Sequence, residues 1–220
     1  MGEKLLEVKN LTIGFPGETG IRKVVDDVSF CVGYGEIVGI VGESGSGKSM
    51  TVQTIMGLKN RDAHIMSGEI LFNGKDLLKM SDEELSKIQG NDMSMVFQEP
   101  MTSLNPVKKI GWQVAESLKI HTPLPDEEIR GRVVEILANV GLPKPEELCR
   151  KYPHQLSGGM RQRVMIAMAM ICWPKLLIAD EPTTALDVTV QAQILQLLRK
   201  IHMEANTSIL FISHDLNVVK

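Results

Sequence analysis

The sequence has little cysteine, no long apolar run and no excess of charge of one sign. Its three cysteines, Cys31, Cys149 and Cys172, are far apart and lack metal-ligand spacing, so we expect reduced thiols rather than a metal site. The longest apolar run, residues 164–173, is well short of the ~20 residues that a membrane span needs. Lys and Arg number 24 against 27 Asp and Glu, whereas a dedicated nucleic-acid binder usually carries a strong basic excess. The sequence therefore argues against a membrane-spanning chain and against a nucleic-acid partner.

The remaining composition is that of a globular chain. It has 220 residues, of which 43% are hydrophobic and 23% charged, which suits one domain or two closely packed domains. Apolar, strand-like segments alternate with helical patterns, and this alternation predicts a parallel α/β core. Ile37–Val41 suits a strand that is buried on both faces, and residues 100–156 are predicted to form a mostly helical insertion. Ser81 and Glu84 predict a capping box at the start of one helix.

A glycine-rich loop follows the Ile37–Val41 segment and precedes a helical stretch. Its sequence, GESGSGKS at residues 42–49, matches the pattern G-x-x-x-x-G-K-[ST]. Glycines let successive backbone N–H groups face an anion, and a helix N-terminus favours the same charge. Lys48 can reach the β- and γ-phosphates of a nucleotide, and the Ser49 hydroxyl can ligate Mg²⁺. A glycine-rich turn with an incidental lysine is the alternative, which the strand–helix context disfavours. The predicted nucleotide-binding residues are Gly42, Glu43, Ser44, Gly45, Ser46, Gly47, Lys48, Ser49 and Met50.

Two acidic residues end a second apolar strand, at residues 176–181. The carboxyl ends of parallel strands form the ligand-binding edge of a sheet, so Asp180 and Glu181 are predicted to lie there. Asp180 can hold Mg²⁺ directly or through water, and Glu181 can accept a proton from an attacking water. His214 follows a further apolar strand and could hydrogen-bond a γ-phosphate oxygen or orient Glu181. A solvated strand-to-loop junction and an exposed histidine are the alternatives.

A second glycine-rich helix start lies at residues 157–159. Its exposed N–H groups and the helix dipole would make another anion site. An ordinary serine N-cap with loose glycines is the simpler interpretation of this segment taken alone. If both loops bind phosphate, one chain carries two cradles of the size of a γ-phosphate.

In order and spacing, these motifs resemble those of the ATP-binding subunit of an ABC transporter. The resemblance covers essentially the whole chain. It implies an α/β fold, a P-loop NTPase (RecA-like) parallel-sheet core with an N-terminal antiparallel β-subdomain and an inserted α-helical subdomain. The matching motifs are the Walker A loop at 42–49, the Q-loop Gln98, the signature at 156–160, Walker B at 176–181, the D-loop Ala185, Leu186 and Asp187, and the switch His214.

The same resemblance implies how the chain is divided. It predicts a single ATP-binding domain over residues 1–220, with the core and β-subdomain at 1–99 and 157–220 and the helical subdomain at 100–156. Family members continue beyond the position of Lys220, so the C-terminal part of the family domain is expected to be missing. For this chain alone, we then expect reduced dimer stability and poor ATPase activity.

The resemblance also implies a mechanism in which two ATP-binding domains sandwich two nucleotides head to tail. Each ATP, with Mg²⁺, lies between the Lys48 loop of one chain and the signature motif of the other, so hydrolysis depends on closure. Gln98 is implied to sense Mg²⁺ or water, and Phe15 to stack on adenine, with simple core packing as the alternative for Phe15. The implied catalytic residues are Lys48, Gln98, Glu181 and His214; the implied Mg²⁺ ligands are Ser49, Gln98 and Asp180; the implied trans-acting residues are Ser157, Gly158, Gly159, Met160 and Asp187.

A narrower resemblance points to the dipeptide, oligopeptide and nickel importer family. It rests on residues 97–106 and 152–168, and Met101 and Met160 resemble its D-type subunit, although Met160 replaces the Gln of the broader pattern. The implied partners are a second ATP-binding subunit (an F-type homologue or a second copy), transmembrane permease subunits and, indirectly, a solute-binding protein. A coupling helix of the permease would enter a groove beside residues 99–106. The implied location is peripheral, at the cytoplasmic face of the cell membrane, and peptide is favoured over nickel as cargo.

Two other functions stay open at this point. One is a soluble ABC ATPase that acts on nucleic acid or ribosomes, against which residues 98–106 and the near-neutral charge speak. The other is a non-hydrolysing regulatory module, against which the joint presence of Lys48, Asp180, Glu181 and His214 speaks.

Overall fold

Two β-sheets organise the described part of the chain. The computed structural model describes residues 3–17, 20–58, 62–184 and 186–215. The strands are β1 (Lys4–Gly17), β2 (Gly20–Gly33), β3 (Ile37–Val41), β4 (His64–Phe72), β5 (Lys75–Asp76), β6 (Met93–Val96), β7 (Leu176–Asp180) and β8 (Ser208–Ser213).

The first sheet is antiparallel, with the strand order β2-β1-β4-β5. Alternating apolar residues of β1, Leu6, Val8, Leu11 and Ile13, are at most 1% exposed, so one face of the strand packs into the core. The register shifts between Val8 and Leu11, where Asn10 takes a positive φ of 46°. This bulge is the reason that the apolar alternation of the segment is irregular in sequence.

The second sheet is parallel, with the strand order β3-β8-β7-β6. Val41 at the end of β3 pairs with Ser213 of β8, and Asp180 at the end of β7 pairs with Ile212. The carboxyl ends of these strands therefore lie along one edge, which is where ligands bind in open α/β sheets. The parallel α/β core predicted from the sequence is confirmed.

The expectation that β3 is buried on both faces is wrong. Ile37 is 45% exposed and Gly39 is also exposed, because β3 is the outer strand of the sheet as described and pairs with β8 on one side. In contrast, every residue of β7 is buried, because β7 lies between β8 and β6. A continuous apolar run thus did not distinguish an outer strand from an inner one.

Helices follow most of the strands, and local capping signals set several of their ends. Ser81 and Glu84 form the predicted capping box, and Gly141, with φ of 76°, follows the helix that it was predicted to close. Ser157 and Asp187 each accept a hydrogen bond from a backbone N–H three residues later. The helices are α1 (Lys48–Ile55), α2 (Asp82–Ile88), α3 (Pro100–Ser103), α4 (Ile110–His121), α5 (Asp126–Asn139), α6 (Pro145–Leu148), α7 (Gly158–Met170) and α8 (Val188–Ala205), with 3₁₀ turns at Leu77–Lys79 and Pro153–Gln155.

The parallel sheet separates two hydrophobic clusters. Leu177 and Phe211 face a cluster formed with residues of α4, α5, α7 and α8, whereas Ile178 and Leu210 face one formed with β1, β4 and α1. This division follows from the strand period of two, which sends neighbouring side chains to opposite faces. The helical stretch between β6 and α7 therefore shares one core with α7 and α8.

The structure also bears on two exclusions made from the sequence. Within the described ranges, no helix combines the length and the apolar character that crossing a membrane requires. All three cysteines are free thiols, and burial raises the pKa of Cys172 to about 11, so this thiol stays protonated at neutral pH.

Candidate nucleotide site

A cavity of about 490 Å³ opens at the carboxyl edge of the parallel sheet. It lies between the glycine-rich loop before α1 and the residues that follow β6, β7 and β8. Its volume falls within the ~300–1,000 Å³ range of small-molecule sites. The lining residues are Val24, Ser44, Gly45, Gly47, Lys48, Ser49, Met50, Gln98, Glu181 and His214.

The glycine-rich loop is shaped for an anion. Gly45 and Gly47 take positive φ values of 81° and 87°, and a Cβ on Gly47 would lie 2.6 Å from the carbonyl oxygen of Val24. Another residue at position 47 would therefore be strained and would collide with β2. Gly47 caps α1 without a side-chain hydrogen bond, which leaves N–H groups of the first helical turn for a ligand.

Lys48 is held inside this loop. Its Nζ donates to the carbonyl oxygens of Gly42 and Glu43, each at 2.7 Å, and lies 3.5 Å from Ser46 Oγ. The residue is only 8% exposed and lines the cavity. Phosphate oxygens are stronger acceptors for a lysine than neutral carbonyls are, so an incoming phosphate can draw Nζ away from them.

Ser49, which lines the cavity, and Asp180 form a hydrogen-bonded pair of side-chain oxygens. Ser49 Oγ donates to Asp180 Oδ1 at 3.2 Å, and Asp180 is 3% exposed. The pKa of Asp180 is raised overall, mainly because the carboxyl group is buried. The hydrogen bond from Ser49 and the charge of Lys48 lower this pKa in part, whereas the charge of Glu181 raises it further.

These two oxygens fit Mg²⁺ bound together with a nucleotide. Mg²⁺ usually takes one or two protein oxygens and completes its shell with phosphate and water. Among the described residues there is no group of three or more His, Cys, Asp or Glu side chains that could hold a metal by themselves. A cation beside Asp180 would also favour the charged form that burial disfavours.

Glu181 sits at the centre of a hydrogen-bonded cluster. Its Oε2 accepts from Gln98 Nε2 and from Thr184 Oγ1, both at 3.0 Å, and lies 3.2 Å from His214 Nδ1. Glu181 takes a left-handed φ of 46°, and its N–H donates to the carbonyl of Ile212 at 3.1 Å. Glu181 follows Asp180 directly in the chain and lines the cavity. The sequence predicted that Gln98, Glu181 and His214 serve one site, and the structure brings them into contact.

Comparison with known proteins identifies the family. The sequence model described as "ABC transporter" matches residues 25–184. The chain belongs to the ABC transporter family. It is 54% identical over 216 residues to the oligopeptide transport ATP-binding protein AppD of Bacillus subtilis, covering 98% of this chain and 66% of that protein. It is 50% identical over 218 residues to the dipeptide transport ATP-binding protein DppD of Lactococcus lactis, covering 99% of this chain and 62% of that protein. The chain thus spans less than two thirds of the length of these curated relatives.

A solved structure supports the fold assignment. The dimeric ATP-binding cassette MJ0796, in a post-hydrolysis state bound to ADP and Pi, superposes with a TM-score of 0.86 at 32% identity. The match covers 97% of this chain and 89% of that chain. The predicted P-loop NTPase fold is therefore confirmed, and it is the fold of an ABC cassette.

The predicted signature segment, residues 156–160, lies outside the cavity. Ser157 and Gly158 are exposed, and Ser157 Oγ accepts from Met160 N at 3.3 Å as a helix cap. Within the described part of the chain, the cavity lining includes none of residues 157–160. The two glycine-rich helix starts of one chain therefore do not face a common ligand.

Other predicted ABC site residues occupy different positions. Phe15 is half-buried on β1, opposite Arg22 and outside the cavity lining, and Asp187 Oδ1 accepts from Val190 N at the start of α8. Of the predicted D-loop, Ala185 lies outside the described residues, as does the side chain of Met101.

Sequence reasoning missed two residues of the site. Val24 of β2 lines the cavity, and Thr184 bonds the Glu181 carboxylate. No motif marks Val24, and a threonine three residues after a glutamate does not by itself predict a bond between the two side chains.

Proposed function

We propose that this chain is the ATP-hydrolysing subunit of an ABC importer, most specifically a peptide importer. The observation that carries the proposal is the arrangement of one cavity that unites Lys48, the Ser49–Asp180 pair and the Glu181 cluster. The relatives named as dipeptide and oligopeptide transport proteins support a peptide as the cargo. An action on nucleic acid is not favoured, because the net charge is −3 and these relatives are transport proteins.

The proposed chemistry is the attack of water on the γ-phosphate of ATP. The N–H groups of the glycine-rich loop bind the phosphates, and Lys48 moves from its two carbonyl partners to the β- and γ-phosphates. Ser49 and Asp180 would hold Mg²⁺, which would neutralise developing charge on the phosphate. Glu181 accepts the proton of the attacking water, while Gln98 and His214 orient that water and the γ-phosphate.

The proposed ATP hydrolysis requires a second ATP-binding subunit. The exposed position of Ser157 and Gly158 leaves their N–H groups for a nucleotide held by a partner, with Asp187 at the same interface. The dimeric state of the ABC cassette bound to ADP and Pi supports this arrangement. The partner is an F-type homologue or a second copy of this chain, and the Met101 and Met160 pattern favours the former.

The proposed membrane partner is the permease. A groove of about 240 Å³ beside the Q-loop segment contains Leu58, Phe97, Met165 and Met168, and Leu58 and Phe97 are 41% and 37% exposed. Such a methionine-rich apolar lining suits a short amphipathic helix of a permease subunit, because methionine side chains adapt to irregular surfaces. The chain would then act peripherally at the cytoplasmic face of the membrane, with residues 100–156 as a helical subdomain between the permease and the core at 1–99 and 157–220.

The substitution Glu181→Gln tests the hydrolytic role. It removes the general base but keeps the shape of the side chain, so we expect hydrolysis by the assembled transporter to fall by about 10²–10⁴-fold. Mg²⁺-ATP binding, measured by calorimetry on the isolated chain, should be retained. The matched control Glu135→Gln, an exposed position on α5, should keep full turnover. Normal turnover by Glu181→Gln would remove Glu181 from the catalytic role.

A further inference from the structure

Thr184 lies in the same turn as Glu181 and contacts its carboxylate directly. Its Oγ1 donates to Glu181 Oε2 at 3.0 Å, and its backbone N–H donates to the Glu181 carbonyl at 3.1 Å. Neither contact belongs to the motifs that mark the nucleotide site. Thr184 is half-buried and lies outside the cavity lining. Its hydroxyl therefore contacts the Glu181 carboxylate and not the space in which a ligand would bind.

The three donors on Glu181 Oε2 differ in how they are attached. Gln98 and His214 come from the segments after β6 and β8, and the His214 side chain is 57% exposed. In the proposed mechanism both of these side chains also orient the water and the γ-phosphate, so their bonds to Glu181 compete with those contacts. Thr184 shares a backbone turn with Glu181, so its hydroxyl moves with the carboxylate.

The geometry of Thr184 also restricts the direction of its hydroxyl. A β-branched side chain has few χ1 rotamers, so Oγ1 stays aimed at one place once the backbone is set. Glu181 itself holds a left-handed φ of 46°, and its N–H donates to the Ile212 carbonyl of β8 at 3.1 Å, which ties this backbone to the sheet. The backbone thus fixes the position of the Glu181 Cβ atom, and the hydrogen bond from the Thr184 hydroxyl restricts the orientation of the carboxylate.

We propose that Thr184 is a positioning residue, whose hydroxyl holds the Glu181 carboxylate in the orientation that accepts the proton of the attacking water. This inference rests on the proposed function, because it concerns the general base of that reaction. Displacing a catalytic group by about 1 Å can cost roughly 10²-fold in rate. Binding of ATP does not depend on the contact, since Lys48, Ser49 and Asp180 lie elsewhere in the site.

The kinetic test compares Thr184→Val with Thr184→Ser in the assembled transporter. Valine keeps the β-branched shape but removes the hydroxyl, and we expect kcat for ATP to fall by about 10–100-fold with KM unchanged. Serine keeps the hydroxyl but not the branch that restricts its rotamer, so its kcat should stay closer to the wild-type value than to that of Thr184→Val. If Thr184→Val turns over like the wild type, or if Thr184→Ser is as slow as Thr184→Val, the proposal is overturned. Thr184→Ala replaces Thr184→Val if the valine variant does not fold.

A second measurement needs no nucleotide and no turnover. The ¹⁵N NMR signal of His214 Nδ1 in the nucleotide-free chain reports the 3.2 Å contact with Glu181. We expect Thr184→Val to move this signal towards its position in Glu181→Gln, and Thr184→Ser to leave it in place. A wild-type signal in Thr184→Val would contradict the positioning role. Failure of the wild-type transporter to hydrolyse ATP would instead contradict the proposed function, while this spectrum would still decide the orientation of Glu181.

Discussion

The buried Asp180 carboxylate opposes the stability of the folded chain at neutral pH. Burial raises its pKa, so folding disfavours the charged form relative to the unfolded chain. A raised carboxyl pKa means that the native state binds the proton more tightly than the unfolded state does. The contribution of this group is therefore most favourable at a pH below its unfolded pKa and is lost as the pH rises through its folded pKa.

The substitution Asp180→Asn should stabilise the nucleotide-free chain at neutral pH. It removes the buried charge and keeps an acceptor for the Ser49 hydroxyl, and each ~1 kcal/mol gained raises Tm by about 2–4 °C. The gain should shrink on acidification, and the increase in Tm on adding Mg²⁺-ATP should be lost. Calorimetry at neutral and acid pH measures both effects, with the exposed Glu116→Gln as a control that leaves Tm unchanged. A lower Tm for Asp180→Asn at neutral pH would contradict this account.

Single residues of the site were predictable where a strand end places them. Glu181 and His214 follow buried parallel strands, so their convergence at one edge follows from topology. The contact of Thr184 with Glu181 depends on a left-handed turn, and the place of Val24 depends on how β2 packs against the glycine-rich loop. Neither feature leaves a periodic pattern in the sequence.

At the scale of secondary-structure elements, β4 and β1 approach so closely that position 68 of β4 requires a glycine. Gly68 has φ of 113°, and a Cβ there would lie 2.6 Å from Leu11 Cα and 2.8 Å from the carbonyl oxygen of Lys9. Gly74, in the turn between β4 and β5, has φ of 76° but no atom within 4 Å of its Cβ position. The two glycines therefore share backbone strain and differ in steric crowding.

Replacing each glycine by alanine separates these two effects. Gly74→Ala should cost about 1 kcal/mol, the strain of a left-handed conformation alone. Gly68→Ala adds a collision with backbone atoms and should cost about 2–4 kcal/mol in total. Urea unfolding followed by circular dichroism measures both free energies. Equal losses for the two variants would show that β1 and β4 are not held at this separation.

The elements themselves were largely predictable, and their environments were less so. The Ser81 capping box and the helix ending before Gly141 followed from local chemistry. The exposure of β3 did not follow from local chemistry, because an apolar segment such as Ile37–Val41 does not indicate whether its strand is an inner or an outer one. Sheet order is decided by contacts between strands far apart in sequence, which local patterns do not contain.

For the whole molecule, the main consequence of the fold is that its two glycine-rich helix starts are separated. The glycine-rich loop before α1 faces the cavity, whereas the signature at the start of α7 is exposed. The presence of both motifs was evident in the sequence. Their separation within one chain depends on the tertiary arrangement of α1 and α7, which no spacing rule supplies.

The substitution Ser157→Arg tests this separation most directly. The exposed arginine would block the proposed trans site without touching the cavity, so the isolated chain should bind Mg²⁺-ATP with the wild-type Kd. The transporter assembled with its permease and ATP-binding partner should lose at least half of its hydrolysis, while the exposed control Ser86→Arg on α2 should retain it. Unchanged hydrolysis by the Ser157→Arg assembly, or full-rate turnover by a dilute single chain, would contradict a site that two subunits complete together.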